Sequence, residues 1–274
     1  MKNQFGQLLL IDAAKASWNP NLERLLLQLR PAGVLFRKLT SGTADVSANC
    51  ARASDQPLLL AIEEEGGGSL NELFPELPPI GSLDPADASR AGDLIGRGMA
   101  LLGLNLNLAP IVDLSQTPAP TPVRAAKHAA QVAVASAPTS VVEIAHRAEA
   151  FVAGLARRHV LACGRHFPGM PADAQSSPAP VVDRTMAALW REDLLPYRTL
   201  GSKCAMVEIT HGVHKAYDYE FPRPASLSPA VVQGLLRVKL GYEGVAVADV
   251  SLAARAWKIA ALAKPPARFV PPLA

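Results

Sequence analysis

Seven short apolar runs, separated by longer segments of helical period, constrain the fold of this chain more than any other feature. The runs are Gln7–Asp12, Gly33–Arg37, Pro57–Glu63, Leu104–Val112, Val160–Phe167, Ala205–Thr210 and Gly244–Asp249. Within them apolar residues follow one another instead of alternating with polar ones. Both faces of each extended segment must therefore be covered, and runs this short, bounded by turn residues, read as strands. Apolar residues at helical spacing fill the segments Asn21–Leu29, Ala86–Leu102, Val141–Arg158, Met186–Leu200 and Pro229–Leu240. Ser228 stands as N-cap of the last of these, with Pro229 at its first helical position, where a missing N–H is no loss. The alternation predicts the α/β class, a parallel sheet wrapped by helices.

Repeated this often, the unit predicts a TIM-type (β/α) barrel with seven recognisable strands and an eighth that is missing or irregular. After Asp249 comes a helical stretch, Ala253–Lys264, and then a tail in which Pro265, Pro266, Pro271 and Pro272 bracket the only apolar pair and cannot donate to a ladder. Residues 115–137 read as a long loop plus a weak helix. A length of 274 residues suits one barrel domain over 1–274, with 265–274 as a proline-rich irregular tail. The missing strand also leaves open an incomplete gene product.

Charge and cysteine usage exclude several classes. With 27 basic against 24 acidic residues and no basic stretch interleaved with aromatics, no nucleic-acid partner is expected. The apolar run Leu8–Ile11 ends at Asp12, too short and too early charged for a signal peptide or a membrane span, so a cytoplasmic protein without a membrane partner is expected. Cys50, Cys163 and Cys204 lie far apart and show neither a disulfide framework nor metal-ligand spacing; no metal and no cofactor is expected.

Chemistry in such a barrel belongs to the carboxyl ends of the strands. Val247-Ala248-Asp249 puts a carboxylate at one of them, and Gly164-Arg165-His166-Phe167-Pro168-Gly169 puts a cation and an imidazole at another. Residues 245, 247 and 249 share a face of an extended strand, which aims Asp249 inward above two valines. On residue chemistry alone Asp249 reads as a carboxylate placed where such a barrel does its chemistry or as the cap of a following helix. His166 reads as a ligand contact or a satisfied core histidine, and Glu64 and Glu65 read as solvated loop acids.

Six stretches carry a resemblance: Gly33-Val34-Leu35-Phe36-Arg37, Pro57–Gly67, Gly103–Asp113, Gly164–Gly169, Pro224-Ala225-Ser226-Leu227-Ser228 and Leu235–Val245. In this order the chain resembles the N-terminal barrel of glycoside hydrolase family 3, most closely its β-N-acetylhexosaminidase branch, over roughly Gln7 to Ala254. The resemblance implies a retaining glycosidase acting on a small N-acetylglucosaminyl carbohydrate. It puts the nucleophile on Asp249, beneath the anomeric carbon, with a proton donor across the scissile bond. It also assigns sugar contacts to Glu63, which replaces a family Asp, to Arg165 and His166, which match a Lys-His pair, and to His211. Arg offers a planar fork where Lys is a point charge, so that exchange is not neutral.

The departures gather at the chemistry. The branch's general acid/base is a His held by an Asp, in an Asp-Ser-His loop after the His-Phe-Pro-Gly motif. Here that loop reads Met170-Pro171-Ala172-Asp173-Ala174-Gln175-Ser176-Ser177, and no histidine occurs between His166 and His211. Asp173 is either a displaced remnant of the dyad, hence an acid/base candidate, or an ordinary loop acid. Losing acid/base help costs a factor of roughly 10² to 10⁴. The family Arg after Glu-Gly-Gly is Gly68, a sugar-binding Arg segment has become Val132–Ser136, so that either Arg124 takes over from a new position or the contact is gone, and the residues after Asp249 are Val250-Ser251-Leu252. A barrel whose activity is weak or lost is expected, the alternative being a non-catalytic barrel that binds a sugar or a partner.

Overall fold

The computed structural model describes residues 4–13, 17–68, 70, 77–114, 140–170, 179–218 and 223–249. Strands within them are β1 (Leu10–Ala13), β2 (Gly33–Phe36), β3 (Leu59–Ile62), β4 (Leu106–Asn107), β5 (Leu161–Phe167), β6 (Val181–Val182), β7 (Met206–Ile209), β8 (Val213–His214) and β9 (Val245–Val247). Seven of them form one sheet in sequence order, β1-β2-β3-β4-β5-β7-β9, while β6 and β8 pair separately. Parallel registers such as Leu10↔Gly33, Gly33↔Leu59 and Glu208↔Val247 mark the (β/α) barrel type. Each predicted strand is present, and among the described residues the sheet has no eighth. The expected helix 253–264, the tail 265–274 and the zone 115–137 lie outside the described residues.

The chain packs as two compact units, Met1–Pro110 with Arg147–Cys163, and Ile111–His146 with Gly164–Ala274. In the first, β2 is buried along its whole length, as its unbroken apolar run requires. Helix α1 (Pro20–Leu29) starts where the Asn19 side chain accepts the N–H groups of Asn21 and Leu22, and it buries Leu22 and Leu26. After α2 (Thr43–Ala53) comes α3 (Pro85–Leu101), capped by Asp84 through the Asp87 N–H. Helix α4 (Val141–Ala156), which enters this unit at Arg147, meets α3 backbone to backbone. A Cβ on Gly92 would lie 2.3 Å from the Phe151 carbonyl oxygen, and one on Gly154 2.4 Å from that of Ser89. Only glycine permits that approach, which buries Ile95, Met99, Phe151 and Leu155.

The second unit holds the end of β5 with β7 and β9, helices α5 (Met186–Arg191) and α6 (Leu195–Leu200), and a π-helix, Ala230–Lys239. Ser228 caps the π-helix as expected, its Oγ accepting the Val231 N–H at 3.1 Å. Phe167 and Tyr197 pack edge to face, 5.0 Å between centroids. The Trp190 ring takes Arg198 at 4.8 Å and Lys239 at 4.4 Å, tying both short helices to the π-helix.

Several local expectations are corrected. The single helix Met186–Leu200 is two, because Pro196 has no N–H to give a continuing helix and Glu192–Leu194 turn between them. Helix α2 escaped notice because its buried face is Thr43, Val46, Ser47 and Cys50, too polar for an amphipathic signature. Strand β4 is shorter than Leu104–Val112; Pro110 cannot donate, and a separate bridge, Ile111↔Arg165, follows it. Strand β9 is not buried on both faces: Val245 is 51% exposed, and β9 ends at Val247 with Asp249 beyond the last paired residue. All three cysteines are buried free thiols.

Candidate active site

In the second unit the carboxyl ends of β5, β7 and β9 gather the titratable side chains. The bridge Ile111↔Arg165 sets Asp113 beside the end of β5. One Asp113 oxygen lies 2.8 Å from His166 Nδ1, and the other accepts the N–H groups of Met170 (2.9 Å) and His166 (3.3 Å). Asp113 thus fixes both the imidazole and the turn after it. Arg165 faces Glu208 of β7, Nε to Oε2 3.7 Å, with both side chains mostly buried.

His211 lies two residues beyond the end of β7. It is 4% exposed, and its Nδ1 lies 2.7 Å from Ser226 Oγ. Burial pushes its imidazole below the usual histidine range. The main chain and carboxylate of Asp249, then Glu208, pull it back upward, and nearby His166 adds to the depression. His211 is thus a neighbour of both Asp249 and His166.

Beneath the His166–Gly169 turn lies Asp193, 7% exposed and 2.9 Å from Arg184 Nε. A Cβ on Gly169, which has φ +135°, would come within 2.8 Å of the Asp193 carboxylate. Burial raises the Asp193 carboxyl to about 6 against the pull of Arg184.

In the first unit Glu63 follows β3, and its Oε1 lies 2.9 Å from Arg37 Nη1. The same guanidinium reaches Asp12 in β1 through Nε, at 2.8 Å. Glu64 is not a solvated loop acid: it is 2% exposed, and its carboxylate accepts the N–H groups of Gly66 and Leu70, both at 2.9 Å. Asn107 holds its main chain on both sides, at 3.0 and 2.9 Å. A Cβ on Gly68 would stand 2.5 Å from the Glu64 carboxylate, so the position of the lost arginine is closed to any side chain while Glu64 folds the loop this way.

Of the sequence-derived candidates, the second unit brings together Arg165, His166, His211 and Asp249; Glu63 belongs to the first unit, and Asp173 lies outside the described residues. Sequence reasoning missed Asp113, Ser226, Glu208 and Asp193. Asp113 left a signal, an acid at the close of an apolar run. Ser226 left none beyond its place in a matching stretch. Among the described residues no group of three or more His, Cys, Asp or Glu side chains could hold a metal ion, and no helix is long and apolar enough to cross a membrane.

Comparison with known proteins bears on the family and the fold. The family described as "Glycosyl hydrolase family 3 N terminal domain" matches residues 1–265. The chain is 33% identical over 208 residues to a beta-hexosaminidase of Alkalilimnicola ehrlichii, covering 70% of this chain and 56% of that protein. To a beta-hexosaminidase of Bordetella avium it is 30% identical over 228 residues, 77% and 60% of the respective lengths. Among solved structures, a family 3 beta-N-acetylglucosaminidase from Paenibacillus superposes with a TM-score of 0.79 at 27% identity, over 94% of this chain and 50% of that one. The chain thus spans between half and three-fifths of these relatives. With its match from residue 1 to 265, the chain belongs to glycoside hydrolase family 3.

Proposed function

We propose that this domain carries a β-N-acetylhexosaminidase-type site of the retaining kind, with Asp249 as nucleophile, Arg165 and His166 as sugar contacts, and impaired proton donation. The observation that carries the reading is the cluster at the ends of β5, β7 and β9, where Asp249 and His211 adjoin and Asp113 orients His166. In the first step a carboxylate oxygen of Asp249 bonds to the anomeric carbon and the glycosidic C–O bond breaks toward the leaving oxygen; in the second, water releases the sugar. Both steps ask for a group that gives and then takes a proton. The loop that supplies it in the branch contains no histidine here, which supports slow turnover of any substrate whose leaving group needs a proton.

Hydrolysis of an aryl N-acetylglucosaminide with a good leaving group, with and without azide, tests this. We expect slow release that azide accelerates by intercepting the glycosyl-enzyme, and a loss of at least about 10³-fold in Asp249→Asn. Rapid hydrolysis of an unactivated N-acetylglucosaminide would refute the impairment. Release unaffected by Asp249→Asn would refute the nucleophile. Saturable sugar binding without release by the wild type would favour the non-catalytic barrel, which the missing loop histidine also suits.

A further inference from the structure

We infer that Glu208 is a positioning residue for Arg165, holding its guanidinium in place for the sugar. The inference rests on the reading of Arg165 as a sugar contact given above. Strand β7 reads Met206-Val207-Glu208-Ile209, and the other three residues are buried apolar side chains. A carboxylate set into such a run is costly unless a charge meets it. The neighbouring strand supplies that charge. Strand β5 carries Arg165 two residues before its end at Phe167. It lies beside β7 in the sheet, and the Thr210 N–H donates to the Phe167 carbonyl at 2.8 Å just past the two charges. Arg165 Nε stands 3.7 Å from Glu208 Oε2, and the two side chains are only 11% and 18% exposed.

Distance and burial together say what this pair does. At 3.7 Å the contact is an ion pair and not a hydrogen bond, so it acts by charge. Salt and water, which weaken such an attraction at the surface, have little access to it here. A mostly buried ion pair is a poor way to stabilise a fold: two apolar side chains of similar volume leave a protein as stable or more so, whereas removing one partner alone strands a charge. The pair stands toward the carboxyl ends of β5 and β7, where a barrel of this type does its chemistry. A guanidinium is a planar fork that recognises oxygens in one orientation, and its long side chain has many rotamers to lose when a ligand orders it. A carboxylate that holds the guanidinium before the sugar arrives removes that penalty. Loss of Glu208 should therefore weaken sugar binding, and only through Arg165.

Equilibrium binding of N-acetylglucosamine to folded variants, measured by calorimetry or ligand-observed NMR, tests this in a double-mutant cycle. The expected result is a dissociation constant raised about fivefold or more by Glu208→Gln, raised at least as much by Arg165→Met, and raised no further when the two are combined. A role confined to the fold would instead lower the melting temperature of Glu208→Gln and leave its dissociation constant unchanged. Binding unchanged by Glu208→Gln, where Arg165→Met weakens it, overturns the inference and leaves Arg165 as a sugar contact. Equal weakening by Glu208→Gln with and without Arg165→Met overturns it as well, because Glu208 then acts on the sugar by itself. Should Glu208→Gln not fold, Glu208→Asp, which keeps the charge and draws it back by one methylene, is read in the same way. A wild type that does not bind N-acetylglucosamine, or an Arg165→Met that binds it as the wild type does, removes the reading of Arg165 and this inference with it.

Discussion

The two units hold the acids at their strand ends by opposite means. In the first, Glu63 pairs with Arg37, which also pairs with Asp12, and the three side chains are 39%, 41% and 47% exposed. Water and salt screen such pairs, and the geometry they impose is soft. In the second, the Asp113 side chain is 11% exposed and engages three groups at once, while His211 is 4% exposed with its Nδ1 at Ser226. The contrast bears on which residues can be exchanged. Glu63 differs from the family acid by a methylene in a setting that can absorb it, whereas the buried cluster has little room for a changed length. Glu64 shows that burial, not membership of a unit, makes the difference: it lies in the first unit and, packed against Gly68, is as constrained as Asp113.

The largest effect should come from Asp113→Ala, which strands the His166 imidazole and two N–H groups in a mostly buried site. A loss of about 3 kcal/mol is expected in urea unfolding, since bonds to a charged partner contribute roughly 1.5 to 3 each before relaxation. A loss below about 1 kcal/mol would mean that water replaces the carboxylate there, and the contrast would collapse.

Next comes a pH effect. His214 in β8 is 1% exposed, and burial pushes its imidazole down to about 4. The unfolded chain takes that proton near 6.5. Stability from this group is therefore complete above about 6.5 and falls as the pH drops toward 4, by on the order of 3 kcal/mol. Asp193 acts in the opposite sense: the folded unit keeps its proton up to about 6, the unfolded chain releases it near 4, and this contribution is lost as the pH rises through that window. The wild type should thus show a shallow profile between about pH 4 and 6, while His214→Phe should lose stability as the pH rises there. Unfolding midpoints against pH read this directly; identical profiles for the two proteins would mean that His214 is hydrated.

A smaller cost, about 1 to 3 kcal/mol, is expected for Gly68→Ala, because its Cβ meets the Glu64 carboxylate. The cost should shrink when Glu64→Ala is present, and additivity in that double-mutant cycle would show that the two positions do not compete for space.

The smallest effect belongs to Arg37→Gln. Removing the exposed bridge to Asp12 and Glu63 should change stability by no more than about 1 kcal/mol, less in high salt. A larger change would make this cluster as structural as the buried one and erase the distinction between them.

The seven strands, the capped start of the π-helix and the residues at the strand ends were legible in the sequence because each depends on local pattern. An unbroken apolar run must be covered on both faces wherever it sits, and Ser228-Pro229 prepares a helix start from its own atoms. The tertiary structure decided what pattern cannot carry. Asp113 and His166 are 53 residues apart and meet through the bridge Ile111↔Arg165; His211 and Ser226 are 15 apart and meet because a backbone zipper joins their loops. Helix α2 and the break at Glu192–Leu194 likewise follow from what packs there and not from hydrophobic period. Residue type determined which groups are able to do chemistry; strand register and burial, which sum many weak contacts distant in sequence, decided which of them face one another.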